Sequence, residues 1–141
     1  VKLVLDTDVL SALLKPEKNQ QIVRWADSVS EHELFITSTT VSELIYGLVR
    51  APEGRRKDQL DDGISRLVSM FGDRVLNFDF AAAFDYGRFV ADLQAGGSSI
   101  DRADAQIAAC CRANGAALAT RNTKDFEDIP WLTVINPWEA N

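Results

Sequence analysis

Short apolar runs alternate along this chain with longer amphipathic stretches, and that rhythm restricts the fold more than any other feature. The runs fall at residues 2–6, 34–37, 75–78, 116–119 and 133–135. Several are too uniformly apolar for a one-faced sheet, as expected of parallel strands covered on both sides. The stretches between them have helical spacing. Residues 38–50 set Val41, Leu44, Ile45 and Leu48 along one side, and residues 56–70 do the same with Leu60, Ile64, Leu67 and Val68. Strand and helix in strict alternation predict an α/β fold, a five-stranded parallel sheet with helices on both faces.

Local signals punctuate that pattern. Thr7 or Asp8 is expected to cap a first helix that runs to Leu14 and stops before Pro16. A second helix is expected over 19–29, and a third from a cap at Ser38 or Thr39. Pro52 and Gly54 separate the third helix from the fourth, in which Gly63 is a small liability. Residues 81–93 form a fifth helix and 94–99 a turn. The last helix, 101–114, ends at Gly115, a typical C-terminal stop. There is no repeat, no low-complexity tract and no linker, so 141 residues read as a single domain, 1–141.

Composition narrows the function by exclusion. An apolar fraction of 46% and a charged fraction of 26% are those of a globular protein able to bury a core. No apolar run approaches a membrane span, and no signal-like start is seen, so a cytoplasmic location is expected. Cys110 and Cys111 are adjacent and are expected to be packed thiols of a reducing compartment. With the single His32 in a polar linker, they argue against zinc. The net charge of −6 does not advertise nucleic-acid binding. Basic residues gather as Lys15 with Lys18, Arg55-Arg56-Lys57, and Arg121 with Lys124, each expected on a solvated surface.

The acids are more telling. Asp6 ends the first apolar run, Glu43 lies early in the third helix, and Asp104 opens the stretch Asp104-Ala105-Gln106-Ile107. Carboxylates set in apolar sequence need partners, because burying a lone charge is costly. A hard divalent cation is the natural partner. In parallel α/β sheets, ligands gather at the carboxyl ends of the strands. Asp6, Glu43, Asp104 and the segment Thr120-Arg121-Asn122 can all converge on that edge. Such a cluster suits phosphodiester hydrolysis, with Asp6 and Asp104 as first-choice ligands and Glu43 binding through water or orienting the nucleophile. Asp8 and Asp101 have two readings, helix capping or membership of the cluster.

Four segments carry a family likeness. They are Leu3-Val4-Leu5-Asp6-Thr7-Asp8-Val9-Leu10-Ser11, Val41-Ser42-Glu43-Leu44-Ile45-Tyr46-Gly47, Ala103-Asp104-Ala105-Gln106-Ile107-Ala108-Ala109 and Ala119-Thr120-Arg121-Asn122-Thr123-Lys124-Asp125-Phe126, closing on Asn136-Pro137-Trp138. In this order the set resembles the PIN-domain family, and within it the VapC-type toxins of bacterial toxin–antitoxin pairs, especially the FitB-like branch. The resemblance implies a PIN-like three-layer α/β/α sandwich and a Mg²⁺- or Mn²⁺-dependent endoribonuclease. It also implies a homodimer, a cognate antitoxin covering the active site, and a possible larger toxin–antitoxin assembly. The family's acidic positions fall on Asp6, Glu43 and Asp104. The fourth, often Asp, falls on Asn122, which offers an oxygen but no charge. A second metal would then be held more weakly, or Asp125 would help. The family commonly has Asn where this chain has Asp8, so the lost charge is partly replaced nearby. Thr120 takes a position where the family often places a hydroxyl.

Two other readings stay open. Leu5-Asp6-Thr7-Asp8-Val9 resembles the first motif of haloacid-dehalogenase-type phosphatases, in which Asp6 would be a covalent nucleophile. The chain could also be a PIN-like fold kept as a non-catalytic binding module. For a partner surface, Leu13, Leu14, Ile22, Val23, Trp25 and the 56–70 helix are candidates to line a groove for an amphipathic antitoxin segment. For most of these residues a place in the core is the favoured reading.

Overall fold

Five strands form one sheet in the computed structural model, which describes residues 1–140. They are β1 (Leu3–Leu5), β2 (Leu34–Thr37), β3 (Val75–Leu76), β4 (Ala117–Ala119) and β5 (Val134–Ile135). All pairs are parallel, in the order β3-β2-β1-β4-β5. Asn141, the last residue of the expected domain, lies outside the described residues. Six helices connect the strands: α1 (Thr7–Leu13), α2 (Gln20–Asp27), α3 (Ser38–Arg50), α4 (Arg55–Phe71), α5 (Phe80–Ala95) and α6 (Arg102–Asn114).

The uniformly apolar runs follow from burial on both faces. Successive strand side chains point to opposite sides. Leu3 and Leu5 of β1 therefore join Leu34 and Ile36 of β2 under α1 to α4, in a core with Val9, Leu10, Ile22, Leu44, Ile64 and Phe71. Val4 and Leu118 face the other way, into a core with Ala82, Phe89, Phe126 and the α6 residues Ile107 to Cys111. Helices thus cover both faces, giving the expected α/β/α layers. Cys110 and Cys111 are free, buried thiols, and burial pushes the Cys110 thiol up to about 11.

The elements differ from expectation mainly at their ends. Asp6, not Thr7 or Asp8, caps α1: its backbone is extended and its carboxylate accepts the Thr7 N–H. Thr37, not Ser38 or Thr39, caps α3, accepting the Thr40 N–H at 3.1 Å. Thr37 is the last residue of β2 and Asp6 directly follows β1, so in both cases strand passes to helix with at most the cap between them. Asp101 does cap α6 through the Ala103 N–H at 3.1 Å. Gly115 ends α6 in the left-handed region (φ 62°), where glycine meets no Cβ penalty. The edge strand β3 stops at Leu76, and Phe78 N–H donates instead to Ser38 Oγ at 3.1 Å. Short 3-10 turns at Pro16–Lys18, Glu31–Glu33, Gly72–Arg74 and Thr123–Phe126 carry no periodic pattern and were not expected. Exposed His32 lies in the second of them. Gly63 has a packing reason, because a Cβ there would meet Leu14 Cδ2 at 3.3 Å, where α4 passes the end of α1.

Parallel strands bring all five carboxyl ends to one edge. The chain order reverses between β1 and β4, which is where such sheets leave a crevice for ligands.

Candidate active site

Asp6 leaves β1 at that crevice and is 6% exposed. Oδ1 accepts the Thr7 N–H at 2.8 Å, and Oδ2 accepts the Thr120 hydroxyl at 2.7 Å. Burial, reinforced by the negative charges of Asp8 and Glu43, pushes its pKa from the ordinary 3.8 up to about 6, against the lowering pull of both hydrogen bonds. Thr120 is fully buried just past β4, so the two central strands present a linked carboxylate and hydroxyl.

Glu43 comes from the second turn of α3 and is half-buried. Its Oε1 accepts the Thr7 hydroxyl at 2.5 Å, and Thr7 Oγ1 lies 3.4 Å from Thr40 Oγ1. Buried Thr37 and Thr40 continue the chain of hydroxyls, 3.3 Å apart. Asp104 stands in the first turn of α6. Burial first, then the charges of Asp6, Asp101, Asp125 and Glu43, raises its pKa to about 7. Asp6 and Glu43, carried just past β1 and on α3, are thus near enough to act on Asp104 of α6 through space, although neither lines the cleft beside Asp104. Thr39 Oγ1 donates to Gln106 Oε1 at 3.0 Å, joining the two helices that carry Glu43 and Asp104.

Beside Asp104 opens a cleft of about 240 Å³ lined by Asp101, Asp125, Asp128 and Lys124. Asp101, the cap of α6, also lines this cleft. Asp8 does not cap. Its Oδ2 accepts the Arg121 N–H at 3.0 Å and the Asn122 Nδ2 at 3.3 Å, tying α1 to the loop after β4. Asp8 Oδ1 is buried with no hydrogen-bond partner, and burial raises this carboxyl above its ordinary range. Asp8 and Asn122, the two positions where the resemblance led us to expect a departure, are thus in direct contact.

Sequence reasoning missed Thr7, Thr40 and Gln106. Thr7 was read only as a cap, although the hydroxyl-rich run Thr37-Ser38-Thr39-Thr40 before Glu43 was a signal of polar support. The expected partner surface divides. Ile22 is fully buried, while Leu13, Trp25 and Leu67 pack against the core, as favoured for most of these residues. Leu14 and the start of α4 do line a groove, at the far ends of α1 and α3. It has a volume of about 770 Å³, with Leu14, Pro52 and Leu60 beside Lys15, Lys18, Arg55 and Arg56. Two basic clusters far apart in sequence meet there.

The fold and this edge define a class: a parallel α/β/α protein with carboxylates collected where the strand order reverses. A family model for the PIN domain matches residues 3–132, and the chain belongs to that family. It is 40% identical to the plasmid stability protein StbB of Pseudomonas syringae pv. tomato, over 98% of this chain and 99% of that one. It is 36% identical to the VapC ribonuclease Y4jK of Sinorhizobium fredii, over 97% and 98% of the two chains. The crystal structure of FitAcB from Neisseria gonorrhoeae superposes with a TM-score of 0.89 at 31% identity, covering 98% of this chain and 99% of that one. Against a family match of this extent, the five-residue likeness of Leu5 to Val9 to a phosphatase motif carries no weight.

Proposed function

We propose that this PIN domain, residues 1–141, is a Mg²⁺- or Mn²⁺-dependent endoribonuclease, the toxin of a VapBC-type toxin–antitoxin pair, working in the cytoplasm. One observation carries the reading. Asp6, Glu43 and Asp104 come from distant segments, yet burial first, and then neighbouring carboxylate charges that include Glu43 for both and Asp6 for Asp104, raises Asp6 to about 6 and Asp104 to about 7. The VapC ribonuclease name of a relative at 36% identity supports the choice of RNA as substrate.

A divalent cation fits the residues present. The donors are all oxygens, the charges of Asp6, Asp8 and Asp104 repel one another, and Asp8 Oδ1 is a buried acceptor without a donor. Among the described residues no three such side chains converge tightly enough to chelate an ion by themselves. Mg²⁺ keeps several waters and takes one or two carboxylates plus substrate phosphates. Asp6 and Asp104 would hold it. When bound, the cation lowers the pKa of water and offsets charge on the phosphoryl oxygens. Thr7 N–H and Thr120 hold the Asp6 carboxylate in one orientation, and the Thr7 hydroxyl does the same for Glu43. Glu43 can then take a proton from the attacking water through its other oxygen. The new P–O bond forms to that water as the bond to the leaving ribose oxygen breaks, and that oxygen takes a proton from solvent water to leave as a hydroxyl.

The basic-rimmed groove is the surface for the antitoxin segment, apolar at its floor and cationic at its edge. Exposed Ile45, Tyr46 and Val49 on α3, with Phe80 and Phe84 on α5, are side chains of the kind a homodimer covers. The deciding experiment is RNA cleavage by antitoxin-free protein with Mg²⁺, Mn²⁺ or chelator. Wild type should cut only with a divalent ion, and Asp6→Asn or Asp104→Asn should lower the rate at least a hundredfold with the fold intact. Equal cleavage in chelator refutes the metal mechanism. A wild-type protein that never cuts RNA would leave only a binding module.

A further inference from the structure

The segment leaving β4 carries two cations that the acidic centre does not use. Arg121 is anchored twice: its N–H donates to Asp8 Oδ2 at 3.0 Å, and its guanidinium sits 4.6 Å from the centroid of the Trp138 ring. The backbone that carries that ring is fixed on both sides, because Gln21 Nε2 donates to the Trp138 carbonyl at 2.8 Å and the Trp138 backbone N–H donates to Asn136 Oδ1 at 2.9 Å. Lys124 follows in the turn Thr123–Phe126 and lines the cleft with Asp101, Asp104, Asp125 and Asp128. Both cations are exposed, and neither forms an ion pair among the described residues. A lysine that shares a cleft with four carboxylates and pairs with none keeps its ammonium free.

The charge distribution gives these two groups a task. A chain of net −6 with an acid-lined cleft repels a phosphodiester. Substrate needs local cations beside the acids, and stacking on an aromatic ring leaves the fork of guanidinium N–H donors able to take a phosphate. Three residues apart, the two Cα atoms lie within about 10 Å of each other, one on the Asp8 side of the centre and one on the Asp104 side. We propose that Arg121 and Lys124 grip the RNA phosphates on either side of the bond to be cut and so set how the strand lies across Asp6 and Asp104. This inference rests on the ribonuclease reading, and it makes the two residues substrate-positioning groups.

The test separates binding from cleavage. A fluorescein-labelled single-stranded RNA is titrated against Asp104→Asn protein at several salt concentrations, with anisotropy as the readout. Adding Arg121→Gln and Lys124→Gln together should weaken binding at least tenfold at low salt. It should also flatten the slope of log K against log salt by about 1.4, roughly 0.7 for each lost phosphate contact on a single strand. Lys124→Gln alone, on an exposed turn, should give about half that change with an unaltered melting temperature, and Lys124→Arg should restore the slope. An unchanged affinity and slope in the double variant overturns the proposal, even if wild type cuts RNA as expected. If wild type cuts no RNA but the slope flattens as stated, the phosphate grip stands and the ribonuclease reading falls.

Discussion

A carboxyl whose pKa rises on folding is one that the folded state prefers to keep protonated. Asp104, pushed to about 7, and Asp6, pushed to about 6, both start from 3.8, so the ion-free fold holds protons that the unfolded chain has released between these values. Stability contributed by those protons is fully present below the unfolded value of 3.8 and is lost progressively as pH rises from there through about 6 to 7. Without divalent ions, the melting temperature should therefore fall between pH 5 and pH 8. Asp104→Asn, which mimics the neutral acid, should melt about 2–5 °C above the parent at pH 8, with the gap narrowing as pH falls and closing near about pH 4. A variant that melts below the parent at pH 8 would show that the carboxylate is already compensated. The same two acids must be charged to attract a cation, so ion binding strengthens over the pH range in which the ion-free fold weakens.

Arg74 shows how a single side chain joins elements. It donates to the carbonyls of Glu31 (2.5 Å), Leu34 (2.7 Å) and Met70 (2.8 Å), and its guanidinium lies 5.0 Å from the centroid of the Phe71 ring. Those carbonyls belong to the turn before β2, to β2 itself and to the last turn of α4. Arg74→Ala should cost about 3 kcal/mol in a urea titration with an unchanged m-value, because it strips charge-assisted bonds from three acceptors. A loss under 0.5 kcal/mol would mean that water replaces the side chain at no cost. Contacts like this mark the limit of what the sequence revealed. The strand and helix pattern was legible because apolar spacing is local, and Asp6, Glu43 and Asp104 were legible because each sits at a strand end or an early helical turn. Thr7 with Glu43 and Thr39 with Gln106 were not, since they join residues 36 and 67 positions apart and exist only once α3 is packed. The cap at Asp6 was assigned one or two residues too late for a related reason: nothing in Asp6-Thr7-Asp8 says which of three capping residues ends the strand.

The molecule as a whole sets its two charged surfaces apart. Carboxylates gather at the carboxyl edge of the sheet. The groove with Lys15, Lys18, Arg55 and Arg56 lies where α1 and α3 end, a helix length away. An ion that binds the folded acids and not the unfolded chain should stabilise the whole domain by about 2.7 kcal/mol at a hundred times its Kd. Millimolar Mn²⁺ at pH 8 should thus raise the melting temperature by on the order of 10 °C, chelator should reverse the gain, and the Asp6→Asn/Asp104→Asn double variant should not respond. An equal response in that variant would place the ion elsewhere.

The bond from the Thr120 hydroxyl to Asp6 spans 114 positions of chain and closes only when β4 slots in beside β1. During synthesis Asp6 leaves the ribosome long before its partner has been made. Lys124, Asp125 and Asp128, which wall the cleft, emerge later still. A half-made copy holds the acids in the wrong company, so whatever they do to nucleic acid is deferred until the last strands arrive.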